Sequence, residues 1–198
     1  MEFSCGWAVN HPLMKAYHDT EWGVPLHDDH KLFEFLVLEG FQAGLSWLIV
    51  LRKREAFRKA FSGFDPVKVA AYTSDDVERL LTNREIIRNR SKIEAVIHNA
   101  VCFLKVREEF GSFDRYIWSF TDHKPLVNHF TELSELPART ELSDFISADM
   151  KKRGFKYAGS TIIYAHMQAT GMVNDHLVRC FRHSVIVDMA RDQPSACG

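Results

Sequence analysis

The sequence predicts an all-α protein, and three observations support this prediction. Apolar residues recur at three- and four-residue intervals through most of the chain. These segments are bounded by residues that begin or end helices, such as Asp65-Pro66 at a start and Gly154 at an end. No alternating pattern of apolar and polar residues exceeds a few positions, and no repeat or low-complexity tract is present.

The predicted helices of the first half begin at proline, aspartate, serine or threonine residues, which suit a first helical turn. Gly44 interrupts the most apolar of them. A short polar link, Thr82 to Asn89, then leads into a longer helix ending near Glu109. The earlier segments are His11 to His18, Lys31 to Ala43 after a cap at Asp28 or Asp29, Trp47 to Phe61 after Ser46, Asp65 to Tyr72, and Thr73 to Leu81.

The second half contains shorter predicted helices separated by glycines and by one long loop. Residues 121–139 form that loop, because they include two prolines and show little periodicity. We expect Asn174 to cap a final helix that carries His176 and Cys180. The other segments are Ser112 to Phe120, Ser143 to Arg153, and Thr161 to Thr170.

The composition is that of a protein with a substantial core: 198 residues, 46% of them apolar. A net charge of -1 argues against a nonspecific polycation but leaves room for a local basic patch. We expect a cytoplasmic monomer without membrane partner or organic cofactor, since neither a signal-like segment nor an 18-residue apolar run is present. In a reducing compartment, paired cysteines indicate a metal more often than a disulfide.

Four side chains of the types that zinc prefers lie near the two ends of the chain: Cys5, His18, His176 and Cys180. His176 and Cys180 are four residues apart, which places them one above the other on a helix. Two thiolates and two imidazoles fill a tetrahedral shell, so the predicted zinc is structural. The alternative is two unrelated core cysteines and two surface histidines.

Glu39 is a carboxylate in a helix that is otherwise apolar nearly all round. It shares a helical stripe with Leu36, so it should be paired, protonated or facing a polar cavity. Gly40 and Gly44 thin the helix beside it and Trp47 follows, which suits a pocket for a flat ligand. The alternative is a glutamate that points into solvent or pairs with an arginine.

Three more aromatic residues, Trp7, Tyr17 and Trp22, are candidate walls of the same pocket. Tyr17 precedes His18, so a metal that held His18 would also fix Tyr17. Ordinary core packing is the alternative for each of these residues.

The chain closely resembles the bacterial type I 3-methyladenine DNA glycosylases, a branch of the helix-hairpin-helix glycosylases. The matching segments extend from Cys5 to Cys180 and are jointly more specific than any single motif. They are Cys5-Gly6-Trp7, Ala16-Tyr17-His18-Asp19, Glu21-Trp22-Gly23-Val24-Pro25, Leu38-Glu39-Gly40, Gln42-Ala43-Gly44-Leu45-Ser46-Trp47, Phe64-Asp65-Pro66-Val67-Lys68-Val69-Ala70, Ile86-Ile87-Arg88-Asn89-Arg90, Lys92-Ile93, Lys151-Lys152-Arg153-Gly154-Phe155-Lys156 and Val173-Asn174-Asp175-His176.

The resemblance implies one helix-hairpin-helix glycosylase domain over residues 1–198, in which a zinc at the four Cys and His ligands joins segments 1–20 and 172–182. It also implies that Glu39 and Tyr17 contact a damaged base on which Trp47 stacks. The hairpin element, about residues 74–109, would bind the DNA backbone. The residues assigned to that contact are Arg84, Ile86, Arg88, Asn89, Arg90 and Lys92, with Gly44 and Leu45 at the helix break. The alternative for the basic residues is a solvated stretch between two helices.

The expected reaction is hydrolytic release of 3-methyladenine from double-stranded DNA containing alkylated adenine. Such an enzyme must extrude the nucleotide, and Leu45 is a candidate wedge for the vacated stack. Methylation at N3 leaves the base cationic, which suits a carboxylate and makes the base a good leaving group. Glu39 would therefore act mainly by recognising and holding the base.

Two positions depart from the family pattern, and three other functions were weighed. Met14 stands where an aromatic residue is common, and Glu85 where the hairpin turn commonly has glycine. A glycosylase for mismatched adenine or oxidised pyrimidines is rejected, because its iron–sulfur cluster needs four clustered cysteines and Cys5, Cys102, Cys180 and Cys197 are too dispersed. A zinc hydrolase conflicts with four protein ligands. A non-catalytic zinc-stabilised DNA-binding module remains the alternative, although it has no use for a buried acid.

Overall fold

The computed structural model describes residues 3–191, except for the side chain of Ala190, and within that range the protein is mainly helical. Cys197 lies outside the described residues. The helices are α1 (Pro12–Thr20), α2 (Asp29–Gln42), α3 (Trp47–Ala60), α4 (Pro66–Ala70), α5 (Ser74–Thr82), α6 (Arg90–Phe110), α7 (Phe113–Trp118), α8 (Glu141–Lys152), α9 (Ser160–Ala169) and α10 (Phe181–Arg191).

Helix α2 is the central element, and every residue from Leu32 to Glu39 is buried. It packs against α3, α6, α7 and α9, with phenylalanines such as Phe33 and Phe41 filling the spaces between them. The Asp28 carboxylate caps the helix by accepting a hydrogen bond from the Lys31 amide at 2.9 Å. The prediction of an apolar helix that begins after Asp28 and ends before Gly44 is confirmed.

The chain also contains two short strands that the all-α prediction omitted. Strand β1 (Leu126–Val127) pairs in parallel with β2 (Val173–Asn174). β1 lies inside the predicted loop 121–139, which also contains a 3-10 turn at Leu133–Glu135. Two-residue strands carry no periodic pattern, so this long-range pairing has no local signal.

The predicted helix over His176 to Cys180 is wrong, because these residues form a turned segment and α10 begins only at Phe181. The Val178 amide donates to the Phe130 carbonyl at 2.9 Å instead of to its own turn. The Asn174 side chain accepts from the His176 amide at 3.3 Å and donates to the His183 carbonyl at 3.1 Å, which ties the segment to the start of α10. In this segment, hydrogen bonds to a side chain and to a loop carbonyl replace the backbone hydrogen bonds of a helix.

Smaller differences occur at helix ends. Helix α8 starts two residues earlier than predicted, because Thr140 and not a residue nearer Ser143 provides the cap. Helix α7 ends at Trp118 and continues as a 3-10 turn to Thr121. No helix within residues 3–191 is both long and apolar enough to cross a lipid bilayer.

Candidate active site

Glu39 is buried, as its apolar surroundings in the sequence predict. It is 3% exposed, and its Oε2 atom has no hydrogen-bond partner among the described residues. Burial raises the pKa of its carboxyl from 4.5 to about 8. Neither alternative, exposure to solvent or pairing with an arginine, describes this side chain.

Glu39 faces a cavity of about 230 Å³. This volume lies below the roughly 300–1,000 Å³ of sites for drug-sized ligands, so it suits a smaller planar molecule. The cavity is lined by aromatic and aliphatic side chains with a few polar groups between them. The lining residues are Trp7, Met14, Tyr17, Trp22, Glu39, Gln42, Trp47, Leu136, Ala165 and Gln168.

The four aromatic residues expected at the pocket all line this cavity. The Tyr17 and Trp47 ring centroids are 5.3 Å apart, and those of Trp7 and Trp22 are 5.0 Å apart, edge to face. Burial, followed by the nearby Glu39 charge, raises the pKa of Tyr17 well above its usual value, so the hydroxyl keeps its proton. The Trp47 indole N–H is buried without a partner within residues 3–191.

Several lining residues were missed or left uncertain by the sequence. Met14 lines the cavity, so an unbranched thioether occupies the position where an aromatic wall is common in the family. Leu136, Ala165 and Gln168 were not singled out. Gln168 had one local signal, since it follows Tyr164 by four residues and both share a face of α9 with a polar partner.

The break between α2 and α3 lies beside the cavity. Gly44 has φ +80°, a left-handed conformation that favours glycine, while a Cβ built there would meet nothing within 4 Å. The adjacent Leu45 is 38% exposed. Glu39 and Gln42 line both the base-sized cavity and a neighbouring groove formed by Gly44 and Leu45.

The hairpin residues divide into an outer and an inner set. Arg84 and Arg88 are exposed and take part in no ion pair within the described residues. Arg90 is also exposed but pairs with Glu78 at 2.7 Å and more loosely with Glu94.

The inner set supports the fold. The Ile86 side chain is 3% exposed in the core. The Lys92 ammonium group donates to the carbonyls of Phe41 at 2.9 Å and Ala43 at 2.6 Å, where it holds the end of α2. The Asn89 side chain caps α6 through the Lys92 amide at 3.1 Å. Because the side chains of Ile86, Asn89 and Lys92 are engaged within the fold, these residues can offer a phosphate mainly their backbone groups.

Glu85 lies at the exposed turn of the hairpin and does not occupy a left-handed conformation. Its carbonyl oxygen accepts a hydrogen bond from Lys53 of α3 at 2.8 Å. The turn therefore has no backbone need for the glycine that is common in the family.

The four Cys and His residues from the two ends of the chain form one buried cluster, with ligand atoms all within 4.8 Å of one another. His18 Nε2 and His176 Nδ1 are 3.2 Å apart, and Cys180 Sγ lies 3.5 Å and 3.7 Å from them. Cys5 Sγ lies 3.8 Å from His176 Nδ1. A tetrahedron with zinc bond lengths has edges of about 3.3–3.8 Å, so these distances fit such a cation.

The remaining ring nitrogens of the cluster are fixed by second partners. His18 Nδ1 lies 2.7 Å from an Asp19 carboxylate oxygen, and His176 Nε2 lies 3.0 Å from the Trp22 carbonyl. Metal-binding histidines usually donate their other N–H to such acceptors. The hydrogen bond between the two thiols, followed by those to the two rings, lowers the pKa of Cys180, and the same bond raises the pKa of Cys5.

The helical fold, the aromatic cavity of base size and the unpaired acid beside it are features of a base-excising glycosylase. A model of the methyladenine glycosylase family matches residues 7–183, so the chain belongs to that family.

Individual relatives agree with this membership. The chain is 54% identical over 176 residues to DNA-3-methyladenine glycosylase 1 of Escherichia coli strain K12, covering 89% of this chain and 94% of the relative. It is 46% identical over 180 residues to DNA-3-methyladenine glycosylase of Haemophilus influenzae, covering 91% and 97%. A structure of 3-methyladenine recognition by the Staphylococcus aureus glycosylase I superposes with a TM-score of 0.88 at 36% identity, covering 91% and 96%.

Proposed function

We propose that this protein is a DNA repair enzyme that excises 3-methyladenine from alkylated DNA and leaves an abasic site. Family membership and the activities named for its relatives support the reaction. The observation that carries the site assignment is the Glu39 carboxyl, which is 3% exposed, has one oxygen without a partner among the described residues, and faces an aromatic cavity.

The charge of the damaged base explains why an unpaired acid belongs in this cavity. Methylation at N3 makes the base cationic while it is attached to deoxyribose. Because the pKa of Glu39 is about 8, the carboxyl of the empty cavity is mostly protonated at neutral pH. A cationic base favours the ionised carboxylate, whereas a neutral, undamaged base offers no such attraction. Glu39 thus selects for alkylation damage by charge.

The aromatic residues hold the ring of the base. Trp47 provides the stacking face, and Tyr17, Trp7 and Trp22 form the remaining walls. Tyr17 contacts the base through a hydroxyl that its raised pKa keeps protonated.

The chemical step is hydrolysis of the bond between C1′ of the sugar and N9 of the base. The water oxygen bonds to C1′ and the C1′–N9 electron pair moves to the base, which cancels its positive charge. Neutral 3-methyladenine leaves, and the water proton passes to solvent. Because the leaving group is already activated, no general acid is needed, and Glu39 stabilises the positive charge as the bond breaks.

The base must leave the duplex to reach Glu39. Gly44 and Leu45 stand next to the cavity at the exposed break between α2 and α3, so Leu45 is placed to fill the vacated stack. The helix-hairpin-helix element, α5 to α6, would bind the backbone through Arg84, Arg88 and the amides at the start of α6.

The test of the active site is base release from methylated double-stranded DNA. Glu39→Gln keeps the shape of the side chain but removes the charge, and we expect release to fall by about a hundredfold or more. Glu39→Ala should behave similarly. The matched control is Glu55→Gln, a change at an exposed glutamate of α3. Unchanged release by both Glu39 variants would refute the assignment. Wild-type protein that bound methylated DNA but released no free base would favour a non-catalytic module.

We further propose that the buried Cys and His cluster holds one structural zinc. The donor set, the tetrahedral spacing and the fixed second partners of both histidines support this ion. The zinc would join segments near the two ends of a single glycosylase domain, and its binding energy would act as folding energy. We also expect the protein to act as a cytoplasmic monomer.

Metal analysis of the purified protein should find one zinc per chain. Cys180→Ser should lose the metal and lower the melting temperature, because a thiolate ligand is removed. Cys102→Ser is the matched control, since Cys102 is a buried cysteine outside the cluster. If wild-type protein without zinc kept the melting temperature of the zinc-bound protein, the proposal would be contradicted.

A further inference from the structure

The base cavity contains a polar residue that the hydrolysis does not use. Gln168 lines the cavity from α9, and its amide nitrogen donates to the Asp175 carboxylate at 2.8 Å. Its backbone carbonyl also accepts the Gly23 amide at 3.0 Å. Both ends of the residue are therefore held in place.

The Asp175 carboxylate determines which way the Gln168 amide faces. Asp175 is 1% exposed and accepts hydrogen bonds from Tyr164 at 2.6 Å and Asn128 at 2.6 Å as well as from Gln168. An acceptor surrounded by three donors requires that Gln168 present its NH₂ group, so its Oε1 atom points away from Asp175. No donor within the described residues bonds to that oxygen. Because Gln168 lines the cavity and its NH₂ group is held by Asp175, the side-chain atom that it can offer a ligand there is this acceptor oxygen.

A fixed acceptor can distinguish adenine from guanine. Position 6 of adenine carries an amino donor, and the same position of guanine carries a carbonyl acceptor. Both bases become cationic on N3 methylation and both stack, so neither charge nor the aromatic walls separate them. The ionised Glu39 carboxylate attracts both cations through the charge that they share. The Gln168 oxygen carries no charge and, while Asp175 holds the amide, can only accept a hydrogen bond.

We propose that Gln168 is a specificity-determining residue that accepts a hydrogen bond from the 6-amino group of 3-methyladenine and disfavours the 6-carbonyl group of 3-methylguanine. This inference rests on the proposed base cavity. Asp175 is the positioning residue, since it acts on the base only through Gln168. A site built to pair with one polar group rejects the analogue that leaves its own group unpaired.

The test compares release of the two bases from the same methylated DNA under single-turnover conditions. Gln168→Met removes the acceptor and keeps an unbranched side chain, and we expect the ratio of 3-methyladenine to 3-methylguanine release to fall about tenfold. Asp175→Asn should lower the same ratio, because an asparagine amide can donate and lets the Gln168 amide turn over. Tyr164→Phe is the control, since it removes a donor to Asp175 but leaves the Gln168 bond.

Equilibrium binding of free 3-methyladenine and 3-methylguanine, followed by tryptophan fluorescence, provides a readout besides activity and should show the same loss of preference. If Gln168 had a merely structural role, its substitution would lower the release and binding of both bases in proportion. An unchanged ratio of 3-methyladenine to 3-methylguanine release in Gln168→Met would therefore overturn the inference. Should that variant not fold, the ratio in Asp175→Asn decides. Neither result alters the Glu39 test, so failure of this inference is distinguishable from failure of the proposed function.

Discussion

Helix α2 carries two buried glutamates that differ in their partners. Glu34 is 4% exposed and Glu39 is 3% exposed, and they are five residues apart. Glu34 accepts hydrogen bonds from Arg54 at 2.6 Å and Arg58 at 2.8 Å. Glu39 has an oxygen without any partner among the described residues. Burial of a carboxylate is therefore not in itself a sign of function.

The cavities on either side of Tyr17 repeat this contrast. A larger cleft of about 550 Å³ is lined by Glu34, Arg54 and Arg58, and Glu21 and Glu55 complete the ion pairs of the two arginines. The smaller cavity of about 230 Å³ holds Glu39. Size would select the larger cleft as a ligand site, but its buried charges are already neutralised within the chain. The carboxyl oxygen of Glu39, which has no partner among the described residues, selects the smaller cavity and indicates a cationic ligand.

The comparison predicts opposite effects of the same substitution on stability. Glu34→Gln should lower the free energy of unfolding by about 2 kcal/mol, because Arg54 and Arg58 lose their shared carboxylate and keep only Glu21 and Glu55. Glu39→Gln should raise it, because no partner is lost and an isolated buried acid is removed. Urea unfolding at pH 7.5 measures both. Glu55→Gln, at an exposed partner of Arg58, should change it by less than about 1 kcal/mol. If Glu39→Gln lowered the free energy of unfolding and Glu34→Gln did not, the comparison would be reversed.

A pH series sharpens the same comparison. The pKa of Glu39 is about 8 in the folded protein against an ordinary value of 4.5, so the folded state keeps a proton that the unfolded chain releases. Its contribution to stability therefore falls as pH rises from about 4.5 to about 8, by roughly 1.4 kcal/mol per unit.

The measurement for this series is the difference in unfolding free energy between Glu39→Gln and the wild type. That difference should grow through this pH range and level off above it. Burial lowers the pKa of His166 to about 4, but His166 is present in both proteins and cancels in the difference. A difference that does not vary with pH would show that Glu39 is not an isolated buried acid.

Local sequence predicted most of the helices because their signals are local. An apolar run with Asp28 before it and Gly44 after it specifies α2, and Asp65 with Pro66 specifies the start of α4. Glu39 was predictable for the same reason, since a carboxylate on an apolar helix face is visible within a few turns. The four cluster residues were predictable from their types alone.

Apart from the helix ends, the differences from the predictions depend on contacts between distant parts of the chain. The turn over His176 to Cys180 replaces a helix because Phe130 and the cluster hold it, and neither is visible from the local spacing. The proposed role of Gln168 depends on Asp175, which is bonded to Asn128 beside the paired strands β1 and β2. The contact of Lys92 with DNA stays a prediction, and the bonds of its ammonium group to the end of α2 had no local signal in the sequence.

The distinction between paired and unpaired charges also extends to the proposed DNA-binding surface, where we expect the smallest effect. Arg90 is paired with Glu78, while Arg84 and Arg88 are in no ion pair within residues 3–191. Arg88→Ala should weaken binding to undamaged duplex and lower the slope of log K against log salt by about one, because one phosphate contact is lost. Arg84→Ala should have the same effect.

Arg90→Ala is the matched control and should change the slope less, since its guanidinium already has a carboxylate partner. Equal changes in all three variants would mean that DNA displaces the Glu78 pair, and that pairing within the chain does not predict which surface charges are available to a ligand.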